Sequence, residues 1–196
     1  MTTTTAPTSS QSKYDQTLHE TDSLIYKTYP GEPMLVPIMD IMKEELSEPY
    51  PIYTYRHFIN GWPDATIITY DKDNNNKFIA CIVGNVEIKD NRPKGYIAML
   101  AVDKSYRKRG IGKQLVELLI HVFKKEYNVD EVYLETETSN VAALGLYESL
   151  GFIRTKLFMN YYLNTNSAYR LKLFIDRDDE SSTDTTEHKT NSSDKE

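Results

Sequence analysis

The sequence predicts an α/β domain in which a mixed, twisted sheet is flanked by helices and finished by a C-terminal β-hairpin. Three observations carry this. An apolar run over residues 96–102 leads through a charged turn into an amphipathic helix opened by Gly110 and Gly112. Residues 129–137 then alternate as a strand and run into a helix over 140–150, which gives a βαβα core. Residues 154–162 and 169–175 alternate around the polar turn 163–167, as the arms of a hairpin do.

Residues 1–22 are rich in Thr, Ser and Gln and are expected to be a disordered tail, followed by one domain over 23–176. Residues 24–29 form a candidate first strand that Pro30, Gly31 and Pro33 end. Residues 34–46 place Ile38, Ile41, Met42 and Leu46 on one helical face, with Pro37 tolerated near the helix start. Pro49 and Pro51 forbid a regular helix through the next stretch, so a bent loop leads into a short helix near 54–59. That loop carries Leu46, Tyr50, Ile52, Tyr53 and Tyr55, too many apolar groups to remain in water, and Ile52 and Phe58 are assigned to the core. Strands at 65–70 and 77–84 flank a polar turn at 71–76, residues 85–89 extend the second, and a turn over 90–95 precedes the central strand. The helix after Gly110 presents Ile111, Leu115, Leu118, Leu119 and Val122 to the core. Asn140 is placed to cap the second helix and Gly151 to stop it.

Composition narrows the function classes. The chain has 196 residues, 23 Lys and Arg against 29 Asp and Glu, and a net charge of −6. An acidic stretch over 177–196 is expected to be disordered and solvating, and the body has no basic footprint, so nucleic acid is not an expected ligand. One cysteine, Cys81, precludes an internal disulfide and reads as a packed thiol in a reducing compartment. The histidines at 19, 57, 121 and 188 lack metal-ligand spacing, and no metal is expected. No apolar run reaches membrane-spanning length, which suits a soluble, cytoplasmic protein.

The chemistry is signalled first at residues 107–113. A helix opened by glycines offers unpaired N–H groups and the positive end of its dipole. Beside Arg107, Lys108 and Arg109 this makes a cradle for phosphate or diphosphate. No Gly-Lys-Ser/Thr follows, which excludes a Walker loop, and Leu115 stands where a dinucleotide fingerprint needs its third glycine. The spacing Arg107-x-x-Gly110-x-Gly112 after a strand resembles the acetyl-coenzyme A signature of the GNAT acetyltransferase superfamily.

A second stretch, Asn140-x-x-Ala143-x-x-Leu146-Tyr147-x-x-Leu150-Gly151-Phe152, is similar to the second cofactor motif of GNAT N-terminal acetyltransferases. The loop Leu46-Ser-Glu-Pro-Tyr50, the strand 96–102, Leu134-Glu-Thr-Glu137 and the pair Tyr161-Tyr162 resemble the catalytic subunits of NatC-type enzymes over roughly residues 23–175. The resemblance implies a single GNAT-like domain and acetyl-CoA as co-substrate. It implies nascent chains starting with Met and a bulky apolar residue as acceptors, two non-catalytic auxiliary subunits, and ribosome association through the complex. It assigns Leu100, Ala101, Val102, Arg107, Lys108, Arg109, Gly110, Ile111, Gly112, Lys113, Asn140 and Tyr147 to the cofactor. Leu46, Glu48, Pro49, Tyr50, Tyr161 and Tyr162 go to the peptide.

Acetyl transfer needs an uncharged amine and a proton for the departing thiolate. An α-amine with pKa near ~8 costs only about 1 kcal/mol to deprotonate at neutral pH, against roughly 4–5 for a lysine, so a modest base suffices. Glu135 is the expected base, acting through a water, with Glu137 and Tyr96 as alternatives; Tyr147 is the expected acid. A backbone N–H near 100–102 is placed to polarise the thioester carbonyl. Two other readings stay open on sequence: acetylation of a lysine or small amine, and a catalytically silent partner-binding module.

Overall fold

Hairpin connections build most of the sheet. The structure is a computed structural model and describes residues 13–46 and 50–175. Strands β1 (Thr17–Glu20), β2 (Leu24–Thr28), β3 (Thr66–Asp71), β4 (Lys77–Lys89) and β5 (Arg92–Val102) pair antiparallel in chain order. Helices α1 (Leu35–Glu45) and α2 (Ile52–Gly61) fill the connection between β2 and β3. Helix α3 (Ile111–Tyr127) then carries the chain to β6 (Glu131–Glu137), parallel to β5. Helix α4 (Val141–Ser149) and the hairpin β7 (Ile153–Phe158) and β8 (Ala168–Phe174) follow, with β8 inserted between β6 and β7.

The sheet separates two apolar layers. On one face, Ile111, Leu115, Val116, Leu119 and Phe123 of α3 and Leu144 and Tyr147 of α4 pack against Ile67, Ile82, Ile97 and Val132. On the other, Leu35, Ile38 and Met42 of α1 and Tyr55 and Ile59 of α2 cover Ile68, Cys81, Val83 and Met99. Each fully buried aliphatic or Phe side chain here stabilises by roughly 1.5–3 kcal/mol. Phe123 reaches the sheet because it lies across two glycines. A Cβ on Gly84 would meet its ring at 2.7 Å, and one on Gly95 at 2.6 Å. The Cys81 thiol is buried, as its surroundings in sequence suggest, and burial pushes its pKa up.

Two features of β5 position the site. Val83 pairs with Met99 but Gly84 pairs with Ile97, so Ala98 is an extra, bulged residue. The bulge exchanges the faces: Ile97 joins the α3 layer, whereas Met99 and Ala101 join the α1–α2 layer. Moreover, β5 pairs with β6 only at Gly95–Val132 and Tyr96–Tyr133. Beyond Tyr96 the two parallel strands diverge.

Four expectations change. Residues 13–22, assigned to the N-terminal tail, include β1, which pairs with β2 while Leu18 packs on the core. The turn before β5 closes in two residues instead of six, because Asp90 and Asn91 both adopt left-handed φ (53° and 58°) and let Lys89 pair with Arg92. Tyr53 is 79% exposed, although Tyr55 two residues on is fully buried. Tyr161 and Tyr162 lie in the loop 159–167, not in a strand, because Asn160 turns left-handed (φ 51°) just after β7. Glu48 and Pro49 lie outside the described residues, as do 1–12 and 176–196. Among the described residues no helix is long and apolar enough to cross a membrane.

Candidate active site

The divergence of β5 and β6 opens a cavity of about 170 Å³. Its walls include Tyr96, Ala98 and Leu100 from β5, Glu135 and Glu137 from β6, and Asn140, Ala143 and Tyr147 from α4 and its cap. Glu45, Leu46 and Tyr50 close one side, and Tyr161 and Tyr162 close another. Residues proposed for three different roles thus meet at one gap in the sheet.

The gap also frees backbone. Asp103 N–H bonds Ile79 O across to β4, so by strand alternation the N–H groups of Leu100 and Val102 face away from β4, toward the cleft. Arg107 Nε donates to Val102 O at 3.2 Å on that same side.

Glu135 is the best-organised carboxylate here. Its side chain is 4% exposed, and Arg170 donates to its Oε1 from Nε at 2.6 Å and approaches it with a terminal nitrogen at 2.5 Å. Burial first, and then the Glu135 carboxylate, pushes the Tyr96 pKa well up. That keeps the Tyr96 phenol protonated. Glu137 is differently committed. It accepts from Ser139 Oγ at 3.0 Å and from Asn164 and Asn166 side-chain amides at 3.3 Å each, and so pins the loop that carries Tyr161 and Tyr162. All three sequence candidates for the base line the cavity, with Glu135 held by Arg170 and Glu137 by the loop 159–167.

Tyr147 is buried, stacks edge-on against Phe152 at 5.4 Å, and burial raises its pKa, which keeps the phenol protonated. Asn140 Oδ1 accepts from Ala143 N–H at 3.1 Å, so it caps α4 and has its amide nitrogen left to offer a ligand. Tyr162 is raised by burial and then by Tyr161 and Glu137, and Tyr50 contacts Tyr55 edge-on at 6.3 Å.

The phosphate side is built from backbone. Gly110 has φ 80°, a conformation that disfavours any side chain, and α3 starts there with no side-chain cap. A Cβ on Gly112 would stand 3.6 Å from Leu146 and 3.8 Å from Val102. The first-turn N–H groups at Ile111, Gly112 and Lys113 fit a diphosphate. The side chains assigned to this cradle do not converge on it. Arg107 ion-pairs with Glu45, Arg109 donates to Ser105 O at 3.3 Å and lies over the Tyr106 ring, and Lys113 is 3.9 Å from Glu117. Lys108 takes a left-handed φ of 61°. Ala101 points into the opposite layer, 2% exposed, and only Leu100 of residues 100–102 lines the cavity. Glu45 and Arg170 are site residues that sequence reasoning missed. Each joins the site through a partner distant in the chain, Arg107 and Glu135 respectively, and no local pattern marks either one.

Known proteins resemble this chain over most of its length. Residues 35–152 match the model of the acetyltransferase (GNAT) family. N-alpha-acetyltransferase 30 of Saccharomyces cerevisiae is 46% identical over 146 residues, which are 73% of this chain and 82% of that protein. The Homo sapiens N-alpha-acetyltransferase 30 is 43% identical over 157 residues, 80% of this chain but 42% of that protein. A crystal structure of the NatC complex bound to Gag peptide and CoA contains a chain with 43% identity and a TM-score of 0.75, covering 79% of this chain and 99% of that one.

Proposed function

Since this chain belongs to the acetyltransferase (GNAT) family, we propose that it is the catalytic subunit of a NatC-type N-terminal acetyltransferase. It would transfer acetyl from acetyl-CoA to the α-amine of chains that begin with Met and a bulky apolar residue. One observation carries the reading: the cavity at the β5–β6 divergence joins the cofactor-motif residues Leu100, Asn140 and Tyr147 to an entrance made of Leu46, Tyr50, Tyr161 and Tyr162. An aromatic, partly desolvated entrance favours an apolar first side chain over a lysine ammonium. The relatives named N-alpha-acetyltransferase 30 and the NatC neighbour support the same assignment. Two auxiliary subunits, ribosome association and a cytoplasmic location are part of this proposal.

Acetyl-CoA supplies the acetyl group as a thioester. Leu100 and Val102 N–H groups face the cleft and can polarise its carbonyl, while the α3 N-terminus holds the diphosphate. Glu135 takes the proton of the α-amine through a water, and Tyr96 donates a hydrogen bond that orders this end of the cleft. Tyr147, a phenol protonated at neutral pH, gives its proton to the departing thiolate. Glu48 and Pro49 belong with the substrate loop by sequence alone.

Acetyl transfer to four peptides tests this: Met-Leu, Met-Lys, Ser-Glu, and an N-blocked lysine peptide, each with the chain alone and with auxiliary subunits. The Met-Leu peptide is expected to have the highest kcat/KM. Preference for the blocked lysine peptide would move the activity to side-chain amines, and silence on all four would leave a partner-binding module.

A further inference from the structure

Arg170 belongs to no motif, yet it sits directly opposite Glu135 in the β6–β8 ladder. Its Nε donates to Glu135 Oε1 at 2.6 Å, and a terminal nitrogen lies 2.5 Å from the same oxygen. Both contacts fall on one carboxylate oxygen, which fixes the plane of the Glu135 carboxylate. The guanidinium itself is held in place. It lies over the Tyr133 ring at 5.2 Å and over the Phe158 ring at 5.0 Å, between aromatic groups of β6 and β7.

Those rings are fixed in turn. The Tyr133 hydroxyl donates to Glu87 at 2.6 Å, and its ring lies tilted at 4.9 Å from that of Tyr96, which lines the cavity with Glu135. Lys172, two residues along β8, pairs with Glu131 instead, at 2.9 Å. A carboxylate only 4% exposed needs a partner charge with good geometry, and a planar fork clamped by two rings provides one with little freedom left to lose.

We infer that Arg170 is a positioning residue for the acetyl-transfer step, fixing the rotamer and supplying the counter-charge of Glu135 without touching substrate. The inference rests on Glu135 being the base proposed above. A base displaced by about 1 Å can lose on the order of a hundredfold in rate.

A double-mutant cycle on the Met-Leu peptide tests it, using wild type, Glu135→Gln, Arg170→Met, the double variant and Arg170→Lys, in the assembly that gives wild-type turnover. Glu135→Gln is expected to lower kcat by about a hundredfold or more, and Arg170→Met by about thirty- to a hundredfold. The double variant should be no slower than Glu135→Gln, because Arg170 has nothing left to position. Arg170→Lys keeps the charge but not the planar fork and should recover only part of the loss, and KM for acetyl-CoA should stay within about twofold throughout. Multiplying losses in the double variant overturn the inference, as does wild-type activity in Arg170→Met. So does an Arg170→Met protein that loses its thermal transition and acetyl-CoA binding along with turnover while Arg170→Lys is no better. Full activity of Glu135→Gln overturns it through its premise. A wild type silent on every peptide sinks the proposed function itself, and is told apart by the first measurement.

Discussion

The two walls of the cleft work by different means. The wall of β5 and α3 acts through main chain: N–H groups of Leu100 and Val102, a helix start with no side-chain cap, and glycines at 110 and 112. The wall of β6, β8 and the 159–167 loop acts through side chains locked to one another, with Arg170 on Glu135, and Asn164 and Asn166 on Glu137. The difference teaches where binding and chemistry reside. A diphosphate needs donors of fixed direction, which a helix end supplies whatever its side chains are. A proton needs one oxygen at one place, which only a packed network supplies.

This contrast predicts which kinetic constant each wall controls. The largest effect belongs to a side chain that faces the cleft from α4. Tyr147→Phe keeps the ring that packs on Phe152 and removes only the hydroxyl, so kcat should fall about ten- to a hundredfold with acetyl-CoA KM nearly constant, as steady-state kinetics would read. A rise in KM with kcat unchanged would show that Tyr147 only binds. A smaller effect belongs to the main-chain wall. A Cβ at Gly112 meets Leu146 and Val102 at ordinary contact distance, so Gly112→Ala should leave the melting temperature unchanged or slightly raised. It should raise KM for acetyl-CoA about tenfold through crowding of the approach to the N–H groups, with kcat little changed. An equal fall in kcat would erase the division between the walls.

The smallest effect lies where the main-chain wall is anchored. Asp103 caps the turn after β5 through Ser105 N–H at 2.9 Å and bonds Lys77 at 2.8 Å. The Lys77 hydrogen bond first, and the Ser105 bonds next, lower its pKa to about 2. A depressed carboxylate contributes stability above its unfolded value, near ~3.9, and loses that contribution as pH falls through the folded value. Asp103→Asn keeps a capping oxygen, so denaturation at pH 7 should show a loss below about 1 kcal/mol, and the gap to wild type should close as pH approaches 2. A gap independent of pH would assign the loss to the turn and not to the charge.

What could be read in the sequence follows the same division. Main-chain devices leave a local trace, because glycines at 110 and 112 behind a strand are adjacent in the chain. Asn140 and Tyr147 are likewise one helix apart, and both line the cavity. Side-chain networks leave no such trace. Arg170 reaches Glu135 only because β8 inserts beside β6, a register that neither strand announces alone. Glu45 reads as one more charge at the end of α1 until its partner Arg107 is known. Leu46, Tyr50, Tyr161 and Tyr162 do meet in the cavity, but the Tyr pair does so from a loop, where alternation had placed it in a strand. The start of the domain was missed because β1 is short and polar, and it is a strand only through its pairing with β2.

The insertion of β8 between β6 and β7 has a bearing on the growing chain. Along Glu131–Glu137 every ladder partner on the outer side comes from Ala168–Phe174, near the end of the described residues. Until those residues emerge during synthesis, β6 stands as a bare sheet edge seven residues long, inviting strands of other molecules. The last of the described strands therefore both seals that edge and delivers Arg170 to Glu135, so protection from aggregation and the completed base arrive in the same step.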